Sequence, residues 1–264
     1  MNISDHTCIP CILKFLPDSN LEDRSGSHVD VEKLDTLFRS LDYIVEIFND
    51  FTTQQIEDKI NYYSKQIDHG NYDSFVCIFL SHGIYRYICG SDGAVDLEKI
   101  FAQFQGHECP TLAGKPKIFI IQACRGKKYD LGVDIVDSPH SEENNSAVDK
   151  FGYKLPSESD FLLAYATTNN YKAFRNMDLG SWFIQDLVTI LTKYHSRMDL
   201  LRMLTRVNDL MARRESPGIG NDRKVRKQSP SIVCRLRRDV YFSPEAAIIG
   251  GAYYAKPSTT SSAQ

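Results

Sequence analysis

No stretch of this chain approaches the ~20 consecutive apolar residues of a membrane-spanning helix, and its first residues lack the basic-then-apolar order of a secretion signal. Disulfide-like cysteine spacing is missing too. The seven cysteines are an odd number without pattern, which points to a reducing, cytoplasmic compartment. Cys8-Ile9-Pro10-Cys11 is a lone C-x-x-C with no second pair to complete a zinc site, and it reads as incidental. Nor does one sign of charge dominate: 31 Lys and Arg against 34 Asp and Glu leave −3, which gives no indication of bulk nucleic-acid binding. Internal repeats are absent. The bases are unevenly placed, with Arg213, Arg214, Arg223, Lys224, Arg226 and Lys227 close together. Such a cluster reads as a solvated face or as a means of steering acidic substrate segments.

What remains is an ordinary globular composition, 42% hydrophobic over 264 residues, enough for one sizeable core. Val31, Leu34, Leu37, Phe38 and Leu41 recur at helical spacing after Asp30, read as a cap, and Tyr43 to Phe48 reads as a strand. A helix from Thr52 carries Ile56, Ile60, Tyr63 and Ile67, and an apolar strand runs from Ser74 to Ser81. Leu97, Ile100, Phe101 and Phe104 mark another helix before a strand starting at Ile118. Later come a strand at Phe161 to Thr167, helices after Ser181 and over Leu200 to Met211, and a strand at Ser231 to Leu236. Strands alternating with helices predict an α/β fold with a mostly parallel central sheet covered by helices on both faces.

Two of these strands end in reactive residues. Ile118 to Gln122 leads into Ala123-Cys124-Arg125-Gly126, and Ser74 to Ser81 leads into His82-Gly83. In α/β sheets chemistry collects at the carboxyl edge of the strands. Cys124 follows His82 by 42 residues, room for one crossover between adjacent strands. A thiol nucleophile needs such a partner, because the thiolate is the reactive form and an imidazole can take the proton. Gly83 permits close approach of a substrate carbonyl, so its N–H and that of Cys124 are candidates for an oxyanion hole. A thiolate requires no metal or cofactor, and none is called for.

The pentapeptide Gln122-Ala123-Cys124-Arg125-Gly126 is the signature of the caspases, and the chain resembles that family from about Cys11 to Phe242. Matching stretches include the turn at Arg24, Leu80 to Gly83, Gly114 to Gly126, Phe161 to Thr168, Arg175 to Gln185, Leu204 to Asn208 and Ser231 to Leu236. The resemblance implies a caspase-like three-layer sandwich and cleavage of peptide bonds after aspartate. It assigns Arg24, Gln122 and Arg175 to the pocket for the aspartate side chain, and Phe174, Asn176 and Trp182 to upstream substrate residues. Two guanidiniums and an amide suit a carboxylate through forked, charge-assisted hydrogen bonds of roughly 1.5–3 kcal/mol each.

The resemblance also implies a zymogen. Asp137 to Lys150 is polar and without apolar period, and exposed polar loops are where proteolysis occurs. Asp137, closing Asp134-Ile135-Val136-Asp137, and Asp149 are the expected processing sites. Cuts there give a large subunit (1–137), a linker (138–149) and a small subunit (150–264), which remain together in one catalytic domain. The pairs are expected to form a homodimer. The short stretch before the catalytic domain makes the chain effector-like, with a role in apoptosis. Implied partners are protein substrates with exposed aspartates, an upstream initiator caspase and inhibitor-of-apoptosis proteins, with no nucleic acid and no membrane.

Some positions depart from the family pattern. Ile84-Tyr85-Arg86-Tyr87 replaces an acidic, glycine-rich stretch, and Lys172-Ala173 stands where an aromatic and a serine are common. Two alternatives follow: a catalytically impaired homologue acting as a regulatory binding partner, and a relative cleaving after arginine or asparagine. Arg24 and Arg175 argue against the latter, since they repel a cationic side chain.

Overall fold

The computed structural model describes residues 9–14, 26–130, 155–216 and 224–243. Among these a six-stranded sheet runs in the order β11-β8-β7-β3-β1-β2. Its strands are β1 (Ile9–Lys14), β2 (Glu46–Asn49), β3 (Phe75–Leu80), β7 (Lys117–Gln122), β8 (Phe161–Tyr165) and β11 (Ser231–Cys234). Short pairings lie outside it: β4 (Gly83–Ile84), β5 (Tyr87–Cys89) and β6 (Ala94–Asp96) form one antiparallel ribbon, β9 (Arg175–Asn176) and β10 (Gly180–Ser181) another. The helices are α1 (Ser27–Ser40), α2 (Thr53–Asn61), α3 (Leu97–Ala102), α4 (Trp182–Tyr194) and α5 (Leu200–Arg213).

β3, β7 and β8 are each buried along their whole length, so their two faces feed two separate cores. Val76, Ile78, Leu80, Ile118 and Ile120 pack against α1, α4 and α5 through Leu34, Phe38, Phe183, Leu187 and Val207. The alternate residues Phe75, Cys77, Phe79, Phe119 and Ile121 meet α2 and α3 through Ile56, Ile60, Ile100 and Phe101. Strand alternation thus produces the three layers. On the second face Phe75 stacks on Phe104 at 4.6 Å and Phe119 on Phe161 at 5.9 Å. Burying each such ring contributes about 1.5–3 kcal/mol.

The expected α/β sandwich is the observed one, with adjustments. β1 is an additional strand, paired parallel with both β2 and β3, and the second cysteine of the C-x-x-C lies within it. α1 begins at Ser27, so Asp30 sits in its first turn and is no cap. Thr52 does cap α2, with a reciprocal capping box to Gln55. The helix then widens into a π turn at Tyr62–Gln66, leaving Ile67 outside with an extended backbone. β11 pairs antiparallel with β8, the exception in an otherwise parallel sheet. The expected boundaries at 137/138 and 149/150 fall outside the described residues.

Candidate active site

β3 and β7 are paired in parallel with Leu80 opposite Gln122, so both strands stop at the same level. His82 and Cys124 each come two residues later. The Ser81 N–H donates to the Gln122 carbonyl (3.1 Å), carrying the pairing one residue past the strands. A Cβ added to Gly83 would lie 2.7 Å from the Tyr87 carbonyl oxygen, 3.0 Å from that of Cys124 and 3.1 Å from the Ala123 Cβ. The His82-Gly83 backbone therefore lies directly against that of Ala123-Cys124. Glycine at 83 answers this close approach of the chain's own backbone, in addition to any need of a substrate.

On the other side of Cys124 the chain is zipped to residues 170–172. The Asn170 N–H donates to the Arg125 carbonyl and the Arg125 N–H to the Tyr171 carbonyl, both at 3.0 Å. Gly126 is forced by this seam, because a Cβ there would come within 2.2 Å of the Asn170 backbone. The seam brings Ala173 onto the thiol: its N–H points at Cys124 Sγ (3.4 Å), with its carbonyl oxygen 3.9 Å away. Cys124 and His82 are both half-buried. Cys124 thus lies between the His82-Gly83 backbone on one side and Ala173, two residues before Arg175, on the other.

Arg175 opens β9, opposite Ser181 of β10. The tip between them is wound by the Asn176 carboxamide oxygen, which accepts from the N–H groups of Asp178 (2.8 Å) and Leu179 (2.9 Å). α1 clamps this hairpin from below: Asp30 accepts from the Ser181 N–H (2.8 Å) and hydroxyl (2.6 Å), all buried. Gly26 meets the hairpin as well, since a Cβ there would stand 2.5 Å from the Asn176 carbonyl oxygen. Arg24 lies outside the described residues, two positions before this contact. Gln122 is buried at the end of β7.

Phe174 and Trp182 form a tilted pair at 4.8 Å. Phe174 also stacks on Tyr129 (6.1 Å), whose hydroxyl accepts from Lys172 Nζ (2.9 Å) and whose ring lies 3.8 Å from the Arg226 guanidinium. Gln228, which composition and motif do not single out, holds this wall. Its buried carboxamide oxygen accepts from the Phe174 N–H (2.6 Å), and its NH₂ donates to the Ala166 carbonyl beyond β8 (2.7 Å). The guanidinium of Arg125, the residue after Cys124, lies 3.9 Å from the Tyr165 ring. Burial lowers the Arg125 pKa and pushes the Tyr165 phenol up to about 12.

Of the basic cluster, Arg223 lies outside the described residues and Lys224 is exposed. Arg214 pairs bidentately with Asp186, Arg213 with Asp209 and Lys227 with Glu215, while Arg226 is buried. Paired charges contribute little to long-range steering. Asp137 and Asp149 are outside the described residues.

A family model described as Caspase domain matches residues 9–241. Caspase-3 of Mesocricetus auratus and that of Mus musculus are each 40% identical to this chain over 229 residues, 86% of this chain and 80% of theirs. Caspase-3 of Bos taurus is 39% identical over the same span.

Proposed function

The chain belongs to the caspase family of aspartate-directed cysteine endopeptidases, and on that premise we propose how its residues divide the work. It is an effector-like member that acts in apoptosis. Cys124 attacks the carbonyl carbon of a substrate aspartate as a thiolate, its proton having passed to His82. The N–H groups of Gly83 and Cys124 receive the oxyanion, a contribution of roughly 3 kcal/mol for each donor. His82 protonates the leaving amine, and water then releases the acyl group from sulfur. Arg24, Gln122 and Arg175 hold the aspartate carboxylate, while Phe174, Asn176 and Trp182 line the path of the preceding residues. An uncharged side chain would leave the cations desolvated and unpaired, so discrimination of about 10⁴ is expected.

The observation that carries this reading is the level termination of β3 and β7, with two residues from Leu80 to His82 and two from Gln122 to Cys124. The intact pair, together with 40% identity over most of the chain, speaks against a catalytically impaired regulatory homologue. We further propose that the protein is a cytoplasmic zymogen cut after Asp137 and again after Asp149, with 1–137 and 150–264 as its subunits, working as a homodimer. An initiator caspase and inhibitor-of-apoptosis proteins complete the proposed partners.

Mass spectrometry of the wild type beside Cys124→Ala, with turnover of an Asp-Ile-Val-Asp reporter, tests the assignment. The wild type should be cut after Asp137 and hydrolyse the reporter, and the variant should do neither. Silence of the wild type even after the cut is supplied externally would move the chain to the regulatory reading.

A further inference from the structure

Three large apolar side chains stand out in water beside the reactive pair. Ile84 is 51% exposed, Tyr85 55% and Tyr87 38%, on the hairpin that begins at Gly83. We infer that this hairpin tip is a docking surface for the substrate residues that follow the cleaved aspartate, and that it favours an apolar or aromatic side chain there. The inference rests on the protease reading and adds a subsite to it.

Position supports the assignment first. Gly83 abuts the Ala123-Cys124 backbone, so the tip begins one residue from the thiol's own strand end. The opposite wall, from Ala173 to Arg175, belongs to the side that holds the aspartate. The proton that His82 delivers goes to the leaving amine, so the departing residues run out over the His82 side, along this hairpin. Continuity with the cleft therefore names the occupant.

Rigidity is the second argument. The Cys89 N–H donates to the His82 carbonyl (2.9 Å) and the Leu97 N–H to the Arg86 carbonyl (3.0 Å). Arg86 reaches Asp96 (2.6 Å) and stacks 5.4 Å from the Tyr87 ring. Its charge is thus paired although the side chain stays exposed, and beside it Ile84 and the two tyrosine rings offer a ligand apolar surface. Tyr85 adopts a left-handed backbone (φ 53°), uncommon for a bulky residue and held here by the ribbon on either side. An ordered, outward-facing aromatic loses little freedom on binding, which favours recognition.

The chain itself contains a matching ligand. Asp149 is followed by Lys150-Phe151-Gly152-Tyr153, whereas Asp137 is followed by Ser138-Pro139-His140. A second copy would then be processed faster after Asp149 than the aspartate side alone dictates.

The test uses the full chain and two internally quenched peptides, Asp-Ile-Val-Asp-Ser-Phe-Gly and Asp-Ile-Val-Asp-Ser-Gly-Gly, with an Asp-Ile-Val-Asp aminocoumarin amide that has no residues after the aspartate. The phenylalanine peptide should show about tenfold higher kcat/KM than its glycine counterpart. Ile84→Ser/Tyr85→Asn, in which asparagine tolerates the left-handed backbone, should bring that ratio to about one and leave aminocoumarin turnover within about twofold. Tyr87→Ser is read in the same way should the double variant fail to fold. A ratio near one in the wild type, or one that persists in the variants, overturns the inference. Wild-type silence on the aminocoumarin amide, once the cut after Asp137 has been supplied externally, overturns the protease reading and this inference with it.

Discussion

Gln228 touches neither the thiol nor the imidazole, yet it joins the end of β8 to the Phe174 wall with both ends of one buried amide. Gln228→Ala would strand the Phe174 N–H and the Ala166 carbonyl, at a cost of about 1–3 kcal/mol. The expected outcome is a lower Tm together with a rise in KM larger than the fall in kcat, because the wall is proposed to position substrate and not to take part in bond making. Thermal unfolding and steady-state kinetics on the same preparation check both. Arg175→Lys tests the proposed carboxylate pocket directly: charge is kept, but the forked geometry is lost. With about 1.5–3 kcal/mol per charge-assisted bond, kcat/KM on aspartate peptides should fall by roughly 10²-fold without a change in Tm.

Between elements, the contact that matters most is the one joining α1 to the hairpin of β9 and β10. Asp30→Ala would leave the buried Ser181 N–H and hydroxyl without their acceptor and should destabilise the fold by about 2–3 kcal/mol, read by urea titration. Activity should fall further than stability at a temperature where the variant is fully folded, since Arg175 rides on that hairpin. Sequence reading cast Asp30 as a helix cap because a cap and a first-turn acid look alike without the element packed above them. The long, wholly apolar strands and the periodic helices were legible, as were the ends carrying His82 and Cys124. β1 was not, since Ile9-Pro10-Cys11 reads as a broken run and its partners lie dozens of residues away. Two-residue strands such as β4 and β9 have no period to detect, and the antiparallel direction of β11 leaves no trace in its own four residues. Gln228 was invisible for a related reason: its role exists only once β8 and Phe174 have met.

Across the whole molecule the two ends of the sheet carry different chemistry, half-buried at one and fully buried at the other. Cys124 lies past the carboxyl end of β7, and Lys117 begins it, buried at 1% exposure. The Lys117 ammonium donates to the carbonyls of Lys115 (3.0 Å) and Leu112 (3.2 Å), and desolvation pushes its pKa down to about 8. A lysine depressed in the folded state penalises folding while it is charged. Below about pH 8 both states hold the proton and the penalty is complete; between about 8 and the unfolded value near 10.5 the unfolded chain binds more protons, so this group's contribution to stability rises with pH. Relative to Lys117→Met, the wild type should therefore gain stability between pH 7.5 and 10, measured by urea unfolding of both at each pH. The far end of the sheet has a different lesson. Because β3 and β7 end level, the spacing of the reactive pair is inherited from the backbone ladder, one strand apart at about 4.8 Å, and not from the length of the 32-residue crossover between Ile84 and Lys117. That crossover is free to drift in length and character while the ruler beneath it keeps its gauge. Reactivity and appetite are thus separately heritable here: descendants can exchange the hairpin tip, and with it their diet, without retuning the chemistry.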